Sequence, residues 1–240
     1  FPVISTAGPR TRPALYLRVT PDATLESFSG LIGIRTAVIA PSYGTPRLIE
    51  QQSFRELNKS LPVTLPVPNG SDALVGVLDS GVEPGALDPW VRRQWRYEVA
   101  SDLDTTHGTF VAGLVVASRT LNSDSADFPA ESAAIFDAQV LPGNTGVSED
   151  MLIDRITEVL NEAGPTGPRV WNCSFNNGGD PVDPVTYGTL SAELDLLAAT
   201  HGILFVQSAG NYAIRSGWPP DGSAGVADVI TVPAEGIRSL

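Results

Sequence analysis

Cysteine is all but missing from this 240-residue chain; Cys173 is the single example, so no intrachain disulfide framework can form. Histidine is nearly as scarce, with His107 and His201 the only two. One thiol, two imidazoles and no acidic cluster at metal-ligand spacing leave no zinc site to expect. Positive charge is short as well: 15 Lys and Arg stand against 27 Asp and Glu, a formal net charge of −12. Nucleic acid and anionic membrane surfaces both call for a basic patch, so neither is an expected partner. No apolar run approaches the length of a membrane span. Internal repeats and low-complexity tracts are lacking too.

What remains is an ordinary globular composition. Hydrophobic residues make up 42% and charged residues 18%, enough apolar material for a sizeable core. The 23 glycines and 20 prolines indicate many loops between short elements. This length holds one large α/β domain, or a medium one with a small companion.

From Ala73 onward, apolar strand-like runs alternate with helical patterns. Residues Ala73–Leu78, Ala133–Val140, Arg169–Ser174, Ile203–Gln207 and Val229–Val232 read as strands, nearly continuous in their apolar character. Such strands suit a parallel sheet covered on both faces. Three helices are expected between them: Gly108–Ser118, Glu149–Ala163 and Thr186–Thr200. The second carries Ser148 as its cap and Gly164-Pro165 as its stop, and Gly202 is the left-handed stop of the third. The pattern predicts βαβ units and a doubly wound, mainly parallel sheet.

Residues 1–66 follow a different pattern. Ala14–Val19 and Arg35–Ile39 look like strands, and Thr24–Leu31 and Ser53–Leu61 like short helices. The turn-forming cluster Pro66-Val-Pro-Asn-Gly-Ser71 separates them from the sheet region. A small N-terminal α/β module (residues 1–66) is therefore expected, docked on a larger domain spanning residues 67–240.

Three strings carry chemistry. Asp79 directly follows the apolar run Ala73–Leu78, where open α/β sheets place their sites. Taken alone, Asp79-Ser80-Gly81 is also a common turn. His107 opens His-Gly-Thr-Phe-Val-Ala-Gly at the mouth of a helix rich in small residues. A helix N-terminus disfavours the protonated imidazole, which suits a base that must be neutral before it acts. Further on, Ser208-Ala209-Gly210-Asn211 offers a side-chain amide where small residues let another backbone approach.

In that order the three strings resemble the subtilisin-like serine proteases, the subtilases. The Asp-His-Ser chain order belongs to what is known of subtilisin and is taken over with the resemblance. The resemblance implies a subtilisin-like fold and hydrolysis of peptide bonds through an acyl-enzyme. Residues 1–66 stand where a subtilase propeptide would, the alternative being an N-terminal extension packed on the core. Asp79 becomes the acid that orients the base, His107 the general base and Asn211 the oxyanion donor. Ser174-Phe175-Asn176 falls where subtilases pair a strand end with the bound peptide, and Ser208, Ala209 and Gly210 join it as substrate-binding positions. Phe175 and Asn176 depart from the usual Ser-Leu-Gly-like segment. Cys173 reads as a buried strand thiol. No cofactor is implied; calcium is known in the family but is not indicated by these residues. The expected partner is a peptide or protein substrate.

One family part is lacking. No Gly-Thr-Ser nucleophile loop occurs, and Gly222-Ser223-Ala224 leads into the strand Val229–Val232 rather than a helix. The expectation is a catalytic domain truncated at its C-terminus. Its missing segment would be a partner carrying the nucleophilic serine, and these 240 residues alone would be inactive. The alternatives are a pseudoprotease that binds peptides or partners and, more distantly, a receiver or flavodoxin-like domain with Asp79 as phosphate acceptor. The last leaves the His-Gly-Thr and Ala-Gly-Asn strings unexplained.

Overall fold

The computed structural model describes residues 3–7, 14–17, 40–45, 64–68, 70, 72–97, 103–130, 132–177 and 188–208. In chain order the elements are β1 (Val3–Ala7), β2 (Ala14–Leu17), β3 (Ser42–Tyr43), β4 (Ala73–Asp79), β5 (Val91–Arg96), α1 (Thr106–Leu121), β6 (Ala133–Gln139), β7 (Val147–Ser148), α2 (Glu149–Ala163), β8 (Val170–Cys173), α3 (Thr189–His201) and β9 (Leu204–Gln207). The expected segments Thr24–Leu31, Arg35–Ile39, Ser53–Leu61 and Val229–Val232 lie outside the described residues.

The centre is a five-stranded sheet in the order β5-β6-β4-β8-β9, with every pair parallel. Period-2 alternation divides its side chains between two cores. Val77 and Ile135 face a cluster shared with Val111, Ala112 and Val116 of α1. Leu78, Phe136, Trp171 and Cys173 belong to the other cluster, with Leu152, Ile156 and Leu160 of α2 and Leu190 and Leu194 of α3. Helices thus cover both faces, the doubly wound α/β arrangement that near-continuous apolar strands require.

α2 keeps the bounds read from sequence. Leu152, Ile153, Ile156, Val159 and Leu160 are buried at helical spacing. Ser148 sits at its N-cap position, but its hydroxyl bonds the Asp150 carboxylate (2.5 Å) and caps no amide. Gly202 closes α3 in the left-handed conformation at φ 62°. At the middle of β4, Gly76 is a packing requirement: a Cβ there would fall 2.0 Å from Cε3 of Trp171. That indole lies over the strand and stacks tilted on Phe136 at 5.3 Å.

β5 is a strand the sequence did not announce. Arginine at 92, 93 and 96 hides its alternation, yet these suit a sheet edge, where charge blocks pairing with other chains. Arg93 lies 4.8 Å over the Phe136 ring and donates to the Ala163 carbonyl. Arg96 pairs with the buried Asp137 carboxylate of β6.

All five strands of the main sheet come from residues 73–207. Upstream, Ala14–Leu17 forms its own antiparallel ribbon with Val3–Ala7. The short β3 pairs antiparallel with β7. Among the described residues no helix is long and apolar enough to cross a membrane.

Candidate active site

Strand order places a site before any side chain is considered. From β4 the chain moves to one side of the sheet, building β5 and β6; it then crosses to β8 and β9 on the other. The direction therefore switches between β4 and β8, and the carboxyl ends at such a switch form a crevice. Asp79 is the last residue of β4 at this point.

The Asp79 carboxylate is fully buried and meets Nδ1 of His107 through both oxygens, at 2.9 and 3.0 Å. Four further hydrogen bonds fix the carboxylate and its strand end. The Ser80 amide donates to Asp79 Oδ1 (2.7 Å). The amides of Val140 and Leu141 both donate to the Asp79 carbonyl. The Ser80 hydroxyl accepts the Gly108 amide (3.1 Å), tying the loop to the first turn of α1.

Gly108 makes this approach possible. The residue lies within α1, at the start of the helix expected over Gly108–Ser118, and its role is contact. A Cβ there would stand 2.2 Å from the Gly81 carbonyl oxygen and 2.9 Å from its nitrogen. Those are backbone atoms, which cannot swing aside as a side chain would. The small residue thus sets how closely His107 comes to Asp79.

A second layer holds the start of α1. Asp104 accepts the Thr106 amide (3.0 Å), and hydrogen bonds from Thr106 hold its carboxyl below the usual carboxylate range. The Glu83 amide donates to the Thr109 hydroxyl, and the Thr105 hydroxyl donates back to Glu83. Gln139 donates to the Ser80 carbonyl (3.0 Å). Beneath, Asp137 accepts the Val82 amide (3.1 Å) and the Arg96 guanidinium. Burial pushes its carboxyl up, with Arg96 and the Val82 amide pulling the other way. Sequence reasoning missed Ser80, Gln139 and Asp137; polar residues inside or just after apolar strands are the signal that could have found them.

His107, Val111, Leu114, Asn172, Ser174 and Ser208 line one open depression. Ser174 accepts a hydrogen bond from Asn172 (2.7 Å), and the Ser208 amide donates to the Cys173 carbonyl (2.9 Å). Phe175 is fully buried and belongs to the core cluster with α2, so its side chain is no open pocket wall; its carbonyl accepts from Gln207. Asn176 exchanges backbone hydrogen bonds with Gly44. Burial raises the Cys173 thiol well above its ordinary range, which makes it inert as a nucleophile. Ala209, Gly210 and Asn211 lie outside the described residues, as do Ser223 and Ser239. Among the described residues, no group of three or more His, Cys, Asp or Glu could hold a metal ion.

A family model, the subtilase family, matches residues 70–236. The chain belongs to the subtilase family. Asp79 and His107 thus meet within a subtilase-family domain. Among solved structures, this subtilase chain is similar to the MycP3 protease from the type VII (ESX-3) secretion system. Identity is 18% and the TM-score 0.37, over 72% of this chain and 51% of that one. The chain thus spans about half the length of that structure. No curated protein matches it.

Proposed function

We propose that this subtilase domain acts as a serine endopeptidase in which Asp79 orients His107 and His107 is the general base. The observation that carries the reading is the buried Asp79 carboxylate on Nδ1 of His107 at the sheet's switch point. A carboxylate on Nδ1 fixes that proton and directs base chemistry to Nε2. It also stabilises the imidazolium that forms when a hydroxyl proton is taken. Burial of Asp79 away from water strengthens both effects.

Asn211 is the proposed oxyanion donor, with Ser174–Asn176 and Ser208–Gly210 the strand ends that pair with the peptide. The attacking serine is proposed to come from outside these 240 residues, since no Gly-Thr-Ser loop occurs among them. Removing the nucleophile leaves only the weak catalysis of the remaining groups, so the deficit in this chain is several orders of magnitude.

The test is fluorophosphonate labelling of a polypeptide that includes the serine, compared with its His107→Ala variant. Labelling should fall by about 10⁴-fold or more, a scale taken over from triad enzymes including subtilisin. Unchanged labelling would remove His107 as the base. Stoichiometric labelling of Ser223 or Ser239 would place the nucleophile within this chain.

A further inference from the structure

Residues 40–45, with the short strand β3 (Ser42–Tyr43) at their centre, run between two stretches of the chain that carries the main sheet. On one side Ser42 pairs with Ser148 and Tyr43 with Val147. On the other, Gly44 exchanges both backbone hydrogen bonds with Asn176, at 3.0 and 3.2 Å. The ends are held too: the Glu149 amide donates to the Pro41 carbonyl, and the Thr45 hydroxyl to the Gly143 carbonyl. The Asn176 edge continues from Ser174, which shares its depression with His107. A peptide that adds a strand to this edge would use the same amide and carbonyl of Asn176. The segment therefore shows what a peptide in this groove looks like, and its side chains report what the groove accepts.

Tyr43 is the informative one. Its side chain is 1% exposed and joins the core cluster that includes Val147, Leu152 and Phe175. The pocket is not wholly apolar: the Tyr43 hydroxyl donates to Oε2 of Glu149 (3.0 Å). Glu149 is itself buried, and its other oxygen accepts the Tyr16 hydroxyl (2.6 Å). A carboxylate held away from water needs hydrogen-bond donors, and losing one is costlier than losing a neutral contact. Phenylalanine would fill the same space but leave Oε2 short of its donor. A pocket built for a hydroxyl rejects the analogue that lacks it more firmly than an apolar pocket rejects an extra methylene.

We propose that the Tyr43 pocket is a side-chain subsite of the peptide groove, and that Glu149 makes it selective for tyrosine. The selected residue is the one just before the residue that pairs with Asn176. This deepens the proposed function and rests on its reading of Ser174–Asn176 as the peptide-binding edge. Glu149 is a specificity-determining residue here; it touches the occupant and takes no part in bond cleavage.

The experiment uses the full 240-residue chain carrying Tyr43→Ala with Gly44→Pro, the background of every Tyr43→Ala variant below. Together these empty the pocket and take the Gly44 amide off the Asn176 carbonyl. Fluorescein-labelled Ala-Pro-Ser-Tyr-Gly-Thr, the sequence of residues 40–45, and its Phe counterpart are titrated by anisotropy. The tyrosine peptide should bind about tenfold more tightly, the scale of one charge-assisted hydrogen bond. That preference should vanish in Tyr43→Ala/Glu149→Met and shrink in Tyr43→Ala/Glu149→Gln, which keeps an uncharged acceptor. Equal binding of the two peptides, binding of neither, or a preference that survives Glu149→Met would each overturn the subsite. A second arm leaves the pocket filled: in Tyr43→Phe the Gly44 amide should exchange with solvent about tenfold faster, and an unchanged rate would overturn the proposal. Binding and exchange need no catalysis, so failure of the endopeptidase reading would show in labelling while these results stood.

Discussion

The Asp79–His107 pair and the Tyr43–Glu149 pair both join a buried carboxylate to a ring, yet the chain holds them by different means. Asp79 and His107 are 28 residues apart, and each sits beside a backbone locked to the other's loop by Ser80, Gly81 and Gly108. Tyr43 and Glu149 are 106 residues apart and meet because a two-residue strand pairs with another two-residue strand. The first arrangement is over-determined by close backbone packing. The second depends on a few hydrogen bonds and one phenol, which suits a place where an occupant exchanges. The proposed catalytic pair is thus fixed by backbone contact, and the proposed subsite by side-chain contact between distant segments.

Four substitutions would break or sharpen that contrast. Asp79→Asn should have the largest effect. It keeps the shape but lets the amide favour the wrong tautomer of His107, so labelling of the serine-bearing polypeptide should slow by about 10⁴-fold with little change in melting. A loss under tenfold would show that the pair is structural. Gly108→Ala comes next. Its Cβ meets the Gly81 backbone, so a denaturant titration should show about 2 kcal/mol of destabilisation, with slower labelling as His107 is pushed away. Stability intact in that variant would mean the approach is looser than 2.2 Å implies.

Arg96→Ala tests the support beneath the site. Asp137 is buried and Arg96 only partly so; removing the guanidinium should cost about 2 kcal/mol near neutral pH. The sign of its pH dependence follows from the raised Asp137 carboxyl. A carboxyl whose folded value lies above its unfolded 3.8 favours the fold when protonated and loses that stability as pH rises through the folded value. The penalty of Arg96→Ala should therefore be smaller at pH 5 than at pH 8, by urea titration at both; the reverse order would mean that Asp137 does not resist ionisation. Tyr16→Phe should be the mildest, at about 1 kcal/mol. Burial and Glu149 raise the Tyr16 phenol above its ordinary 10.0, so its contribution should persist through neutral pH and fade only above pH 10. A wild-type chain no less stable at pH 10.5 than at pH 8, relative to Tyr16→Phe, would contradict that shift.

The same contrast explains what could be read from the sequence. Asp79 and His107 lie in short strings whose local structure, strand end and helix start, is written in neighbouring residues. α2 was legible to the residue because its buried positions repeat at 3.6 and Gly164 stops it. β5 was not legible: three arginines mask its alternation, and pairing with β6 makes it a strand. Nor was β1, which pairs with β2 among the described residues. The pairing of Gly44 with Asn176 has no local signal, since neither residue favours an extended strand by itself. The burial of Phe175 had no separate signal either: the alternation of side chains along the strand turns its ring into the cluster that holds Tyr43.

Asp79 should hold the proton on Nδ1 of His107, and heteronuclear NMR of the ring nitrogens measures this directly on the 240-residue chain. The geometry predicts a ring proton on Nδ1, shifted downfield by the carboxylate, and loss of that shifted signal in Asp79→Asn. A proton found on Nε2 in the unmodified chain, or an Nδ1 signal indifferent to Asp79→Asn, would contradict it.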